Sequence, residues 1–157
     1  MTTVPMISVE VEDDSWANVL PSAAEMARQA AEAALAGHAG EVAILLTNDD
    51  DVRDLNLRFL GKDKATNVLA FPDIAAAKEP GRLGDIALAF GVCRAEAENQ
   101  AKPLADHLRH LVVHGVLHLL GYDHRRDEDA TRMEAVERRL LAGMNIPDPY
   151  QANADVR

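Results

Sequence analysis

Three histidines stand within eleven residues, in the stretch His114-Gly115-Val116-Leu117-His118-Leu119-Leu120-Gly121-Tyr122-Asp123-His124. His114 and His118 are four apart, so on a helix they leave the same face one turn above each other and can share one ion. Gly121 follows the last apolar positions and accepts the left-handed conformation that ends a helix. The turn brings His124 back toward the first two. Three neutral imidazoles around a tetrahedral zinc leave a fourth position for water, the arrangement of a catalytic rather than a structural ion. A lone histidine in an apolar helix is ordinarily a satisfied core or surface residue. Three at this spacing, among Leu111, Val112, Val113, Val116, Leu117, Leu119 and Leu120, point to one metal ion, because buried imidazoles need partners.

His107 and His110 continue the stripe toward the N-terminus, and either could serve as an alternative ligand. His110, His114 and His118 would spread three ligands over two turns of a straight rod, whereas the turn at Gly121 closes a compact site with His124. His110 is therefore assigned an outer role. Asp123 and Asp85 are candidates for orienting a ligand histidine or accepting a proton; for Asp123 a plain turn role competes. The spacing His-x3-His-x2-Gly-x2-His is also that of the metzincin metalloproteases, which makes peptide hydrolysis a rival. In those enzymes a glutamate follows the first histidine and acts as general base. Gly115 occupies that place and cannot take a proton. Met133 and Met144 fall within or just after a helical pattern and read as core filler rather than as a methionine turn.

The rest of the chain must build a scaffold for this helix. With 157 residues and 48% hydrophobic content it is long enough for one domain with its own core. Residues 1–150 are expected to form that domain and 151–157 a loose tail; the aperiodic stretch from Asn145, with Pro147 and Pro149, reads as loose as well. The single cysteine, Cys93, excludes an internal disulfide and fits a reducing cytoplasm. The N-terminus has no basic start and no apolar run of signal length, which predicts no signal peptide. The longest apolar stretch, Leu111 to Leu120, is interrupted by two histidines and falls short of the ~20 residues a membrane helix needs. A net charge of −10 argues against a protein that coats nucleic acid through a broad basic surface. Any nucleic acid must be met locally, and Arg58, Lys62, Lys64 and Arg125 are the candidate phosphate contacts, from the basic segments Arg53 to Lys64 and Arg125-Arg126.

Ile7, Val9 and Val11 alternate with polar residues, the period of a half-buried strand. Ser22 with Glu25 forms a capping box for a helix that stops at Gly37. Val42 to Leu46 reads as a strand, followed by a helix capped at Asn48 or Asp49 and ending at Gly61. Asn67 to Phe71 and Gly84 to Phe90 read as paired neighbours joined through a turn at Glu79-Pro80-Gly81. Three helices follow, over 92–101, 104–120 and 128–142. The predicted fold is α+β: a mixed four-stranded sheet packed with about five helices, the metal-binding helix buried among them.

These residues together resemble YbeY, the bacterial endoribonuclease family that matures ribosomal RNA. The stretch His114 to His124 is similar to the family signature. Leu55-Asn56-Leu57 through Gly61-Lys62-Asp63 to Thr66-Asn67-Val68-Leu69-Ala70-Phe71-Pro72 is similar to its second motif, and Gly84-Asp85-Ile86 and Asp148-Pro149-Tyr150 also match. The resemblance runs from about Leu46 to Tyr150, with the N-terminal third alike only in pattern. It implies that His114, His118 and His124 bind one Zn2+ ion and that the substrate is single-stranded RNA. It further implies a cytoplasmic role in 16S ribosomal RNA 3'-end maturation and ribosome quality control, with the small ribosomal subunit and assembly proteins as partners. The family usually carries an arginine immediately before Gly-Lys-Asp; this chain has Leu60. Arg58, two residues earlier, points about 160° away on a helix. A ribosome-assembly factor with a mainly structural zinc is the alternative reading, and a metzincin-like protease a further one.

Overall fold

Residues 5–11 form a strand because every second side chain is apolar: Ile7, Val9 and Val11 turn inward while Met6, Ser8 and Glu10 are exposed. In the computed structural model, which describes residues 5–72 and 81–150, this is β1 (Pro5–Val11). It is followed by α1 (Ser15–Val19), α2 (Ala23–Leu35), β2 (Gly40–Thr47), α3 (Asp49–Leu60), β3 (Val68–Pro72) and β4 (Arg82–Ala89). The helices α4 (Phe90–Asn99), α5 (Leu104–Leu119) and α6 (Asp127–Gly143) complete the elements among the described residues. The sheet order is β1-β2-β4-β3, with β1, β2 and β4 parallel and β3 antiparallel to β4. The fold is thus α+β with a mixed four-stranded sheet, as the sequence pattern predicts. Glu79 and Pro80 of the expected turn, and the tail 151–157, lie outside the described residues.

Strand alternation gives the sheet two working faces. Val42, Ile44 and Leu46 of β2 and Ile86 and Leu88 of β4 belong to the main core with the alanine face of α2 and the apolar face of α5. Leu45, Leu69, Phe71, Ala87 and Ala89 form a second cluster with Val52 and Leu55 of α3 and Val92 of α4. The metal helix therefore packs on one face and α3 on the other.

Local chemistry explains most boundaries. The Asn48 side chain accepts a hydrogen bond from the Asp51 backbone N–H at 2.7 Å, an N-cap, and Gly61 ends α3 in the left-handed region at φ 72°. The capping box at Ser22 is not formed. Ser22 sits at φ −100°, ψ 21°, away from the extended conformation an N-cap hydroxyl needs, and the chain enters α2 through a turn in which Ala23 N–H bonds Leu20 O at 2.9 Å. Among the described residues six helices form rather than about five. The extra one, α1, has five residues, too few to show a helical period, and is held by Trp16. That indole is fully buried, donates to the Thr47 carbonyl at 3.0 Å and meets Phe90 edge-on.

The segment after α6 is not loose as far as it is described. Ile146 is buried, Arg138 Nε lies 2.9 Å from Asp148, and the Tyr150 hydroxyl bonds a buried carboxylate on α6. Its order comes from individual side-chain contacts, which leave no periodicity to read.

Candidate metal centre

Helix α5 carries His107, His110, His114 and His118 along one stripe, and its C-terminus decides which of them cluster. The Tyr122 N–H returns to the Leu117 carbonyl at 2.9 Å while Gly121 takes φ 101°, so the chain reverses over a single residue that only glycine adopts without strain. The reversal delivers His124. The rings of His114 and His118 lie 4.7 Å apart, His118 and His124 4.9 Å, and His114 and His124 5.6 Å, and one ligand nitrogen from each falls within 4.8 Å of the other two. His114 and His118 are half-buried and His124 is exposed, so the buried helix opens to solvent on its histidine face.

His110 stands apart from this cluster. Its Nε2 lies 3.1 Å from a carboxylate oxygen of Glu137, and the other oxygen of Glu137 lies 2.7 Å from His114 Nδ1. Glu137 has no exposed surface. Burial alone would raise its pKa, but hydrogen bonds from His110, His114 and Tyr150 outweigh it and lower the group to about 2. An ionised carboxylate only accepts, so His114 donates from Nδ1 and keeps Nε2 as the nitrogen able to ligate. His118 is held below the usual histidine range, first by burial and then by the neighbouring His114 and His124. Its imidazole is therefore neutral, the ligating form. Three imidazoles, one with its tautomer fixed by a buried acid, are a donor set that fits a divalent metal ion.

The other predicted residues are placed differently. Ile86 meets Gly115 of α5, and alternation puts the adjacent Asp85 on the opposite sheet face, where it pairs with Arg82 at 2.8 Å. Asp123 accepts from the Arg125 N–H at 2.7 Å and shapes the turn before His124 rather than bonding a ligand ring. Its pKa is lowered chiefly by that same hydrogen bond. Arg125 is exposed, its guanidinium 3.8 Å from Asp123. Arg58 sits on α3 beside Asp54 at 3.5 Å. Lys62 and Lys64 are exposed on the loop after Gly61, which Asn56 anchors through a 2.9 Å bond to the Lys64 carbonyl and Arg53 through its pair with Asp63.

Two residues escaped sequence reasoning. Glu137 carried a signal, since it lies midway between the buried Met133 and Leu141 at spacings of four, an acid inside an apolar stripe. Arg132 carried none. It lines a cavity of about 440 Å³ beside the turn, with Gly121, Tyr122, Asp123 and Asp129, and offers a further cation there.

The sequence model of Endoribonuclease YbeY matches residues 6–145, which hold the whole triad and Glu137. An Endoribonuclease YbeY of Rhodopseudomonas palustris (strain CGA009) is 46% identical, over 93% of this chain and 81% of its own. That of Azorhizobium caulinodans is 47% identical, over 95% and 98%. The solution structure of a Thermotoga maritima protein superimposes with a TM-score of 0.58 at 25% identity, covering 87% of each chain. The chain belongs to the YbeY endoribonuclease family.

Proposed function

We propose that the protein is a zinc-dependent, single-strand-specific endoribonuclease, acting in 16S ribosomal RNA 3'-end maturation and ribosome quality control. The observation that carries this reading is the convergence of His114, His118 and His124 with the buried Glu137 behind His114. Family membership supports RNA as substrate, since the relatives are named endoribonucleases. When bound, the ion supplies Lewis-acid polarisation of a phosphodiester and activation of water.

The chain's own residues set the conditions for that chemistry. His114 is oriented by Glu137, which aims its Nε2 at the site, and burial keeps His118 neutral, so that second ring has no proton to lose. His124 arrives on an exposed turn, which leaves the site open on the side a polymer must approach. Arg125 extends from that turn with little to confine it, and Arg58, Lys62 and Lys64 supply further cations to phosphate oxygens. On a chain of net charge −10 these local cations must carry the attraction for RNA.

A protease reading is disfavoured because Gly115 cannot take a proton, and its close approach to Ile86 crowds any side chain put in its place. Leu60 favours the second reading, a ribosome-assembly factor whose metal is structural; against it, the packing of α5 on the sheet uses residues other than the triad. Among the described residues no helix is long and apolar enough to cross a membrane. A cytoplasmic location with the small ribosomal subunit and its assembly proteins as partners is part of the same proposal.

The test is cleavage of single-stranded RNA and of a peptide pool by metal-quantified protein, with and without chelator. His114→Ala and His118→Ala should lose both metal and RNA cleavage while the stripped wild type stays folded. A variant without metal that still cuts RNA would sink the proposal, and a fold that collapses on stripping would favour the structural reading.

A further inference from the structure

Glu137 is an unusual acid. It projects from α6 into the core with no exposed surface, and the groups that meet its carboxylate are His110 Nε2 at 3.1 Å, His114 Nδ1 at 2.7 Å and the Tyr150 hydroxyl. Each is an N–H or O–H aimed at an acceptor, and none is a permanent cation. A buried carboxylate so arranged is a poor source of stability, because desolvation opposes whatever the hydrogen bonds return. What it does provide is direction. Oxygen Oε1 faces His114 while Oε2 takes His110 and Tyr150, so the second pair fixes how the first oxygen addresses the ligand ring.

We propose that Glu137 is the positioning residue of the metal site, and that Tyr150 and His110 form a latch holding its carboxylate against His114. The strength of metal binding is thereby set by a network that touches no substrate and reaches the segment after α6. Tyr150 is brought to its place by three contacts of that segment. Ile146 is buried, Asp148 pairs with Arg138 at 2.9 Å, and the Arg138 guanidinium lies over the Tyr150 ring at 5.4 Å. The Tyr150 ring also meets His110 nearly perpendicularly at 5.7 Å, so the two latch residues brace each other. Undocking this segment would leave Oε2 of Glu137 with His110 alone and loosen the orientation of His114. Docked, it keeps Nδ1 protonated and Nε2 available.

The proposal rests on the triad holding a metal, and the experiment separates the two. The full chain, metal-free and ¹⁵N-labelled, is measured for the ring tautomer of His114 by NMR, and its Zn2+ dissociation constant is measured by competition with a chromophoric chelator. The wild type should show the Nδ1–H tautomer. Glu137→Met should weaken Zn2+ binding about 10- to 100-fold and mix the tautomers; Tyr150→Phe should lose several-fold in the same direction. Leu141→Ala, which removes a fully buried side chain of α6 that makes none of the network's hydrogen bonds, should unfold more easily yet keep the wild-type tautomer and dissociation constant. Should Glu137→Met fail to fold, the wild-type tautomer and the Tyr150→Phe dissociation constant decide. An Nε2–H tautomer in the wild type overturns the proposal. So do a Tyr150→Phe protein that binds as tightly as wild type, and a Leu141→Ala protein that loses as much affinity as the network variants. A wild type that takes up no Zn2+ overturns the metalloenzyme reading itself.

Discussion

Gly115 stands where a metalloprotease of the same histidine spacing has its general base, and the structure gives it a second reason to be glycine. A Cβ built there would lie 3.1 Å from both Cδ1 and Cγ2 of Ile86 and 3.4 Å from Cγ1. Ile86 is fully buried on the central strand β4, so it has little space into which to retreat. Replacing Gly115 by alanine gains up to ~1 kcal/mol of helix propensity. Forcing a methyl into a packed interface costs about 1–3 kcal/mol. The balance is a destabilisation of about 1 kcal/mol, which lowers Tm by roughly 2–4 °C in a domain of this size. Gly115→Glu should be far worse, more than about 4 kcal/mol, because it drives an unpaired carboxylate between helix and sheet. It should therefore yield an unfolded protein rather than a protease. The assay is urea and thermal unfolding of the metal-free protein, alongside Ile86→Val, which removes Cδ1. That change alone costs about 0.5–1.5 kcal/mol, and the double variant should be more stable than additivity predicts by at least ~0.5 kcal/mol. A Gly115→Ala protein stabilised by the full propensity gain, or a strictly additive cycle, would show that the close approach imposes nothing.

Two further outcomes follow from the surroundings of the site. His107 is buried, and its Nε2 meets Glu96 at 2.8 Å while Nδ1 has no partner, the pattern of a neutral ring. Burial pushes its pKa below the ordinary 6.5, against the opposing pull of Glu96, and His118 shifts the same way. The unfolded chain then binds protons near pH 6.5 that the folded one does not. Stability of the metal-free protein should be full above pH 6.5 and fall as the pH drops through the folded values, with a shallower fall in His107→Leu. Urea titrations between pH 7.5 and 5 that show no fall would refute this. Leu60 is exposed at the last turn of α3, where a cation interacts favourably with the helix end by ~0.3–1 kcal/mol. Leu60→Arg should leave stability nearly unchanged and raise RNA cleavage per bound metal; an unchanged rate would take that surface out of the RNA path.

The features legible in the sequence are those whose cause is local. Strand β1 announces itself by alternation, α3 by Asn48 and Gly61, and the reversal before His124 by Gly121, because each signal and the structure it produces lie within a few residues. Ser22 and Glu25 show the weakness of the same logic. The right residues stood at the right spacing, yet the chain entered α2 from a direction that left the hydroxyl without its backbone partner. The placement of Asp85 shows a different limit. Alternation predicts that Asp85 and Ile86 face opposite ways, but which way is settled only by where α5 packs, and that depends on the close contact between Ile86 and Gly115.

Glu137 marks the boundary between local and tertiary signals. Its position in the Met133–Leu141 stripe says that the acid is buried, and a buried acid must have partners. The sequence does not say which, because those partners come from 27, 23 and 13 residues away, on α5 and on the segment beyond α6. That segment has no periodicity, so Tyr150 reads as part of a tail until a buried acceptor is found waiting for its hydroxyl. The triad could be read from spacing alone because one helix and one turn build it. The group that orients the triad could not, since it exists only once α5, α6 and the chain's last described residues have packed together.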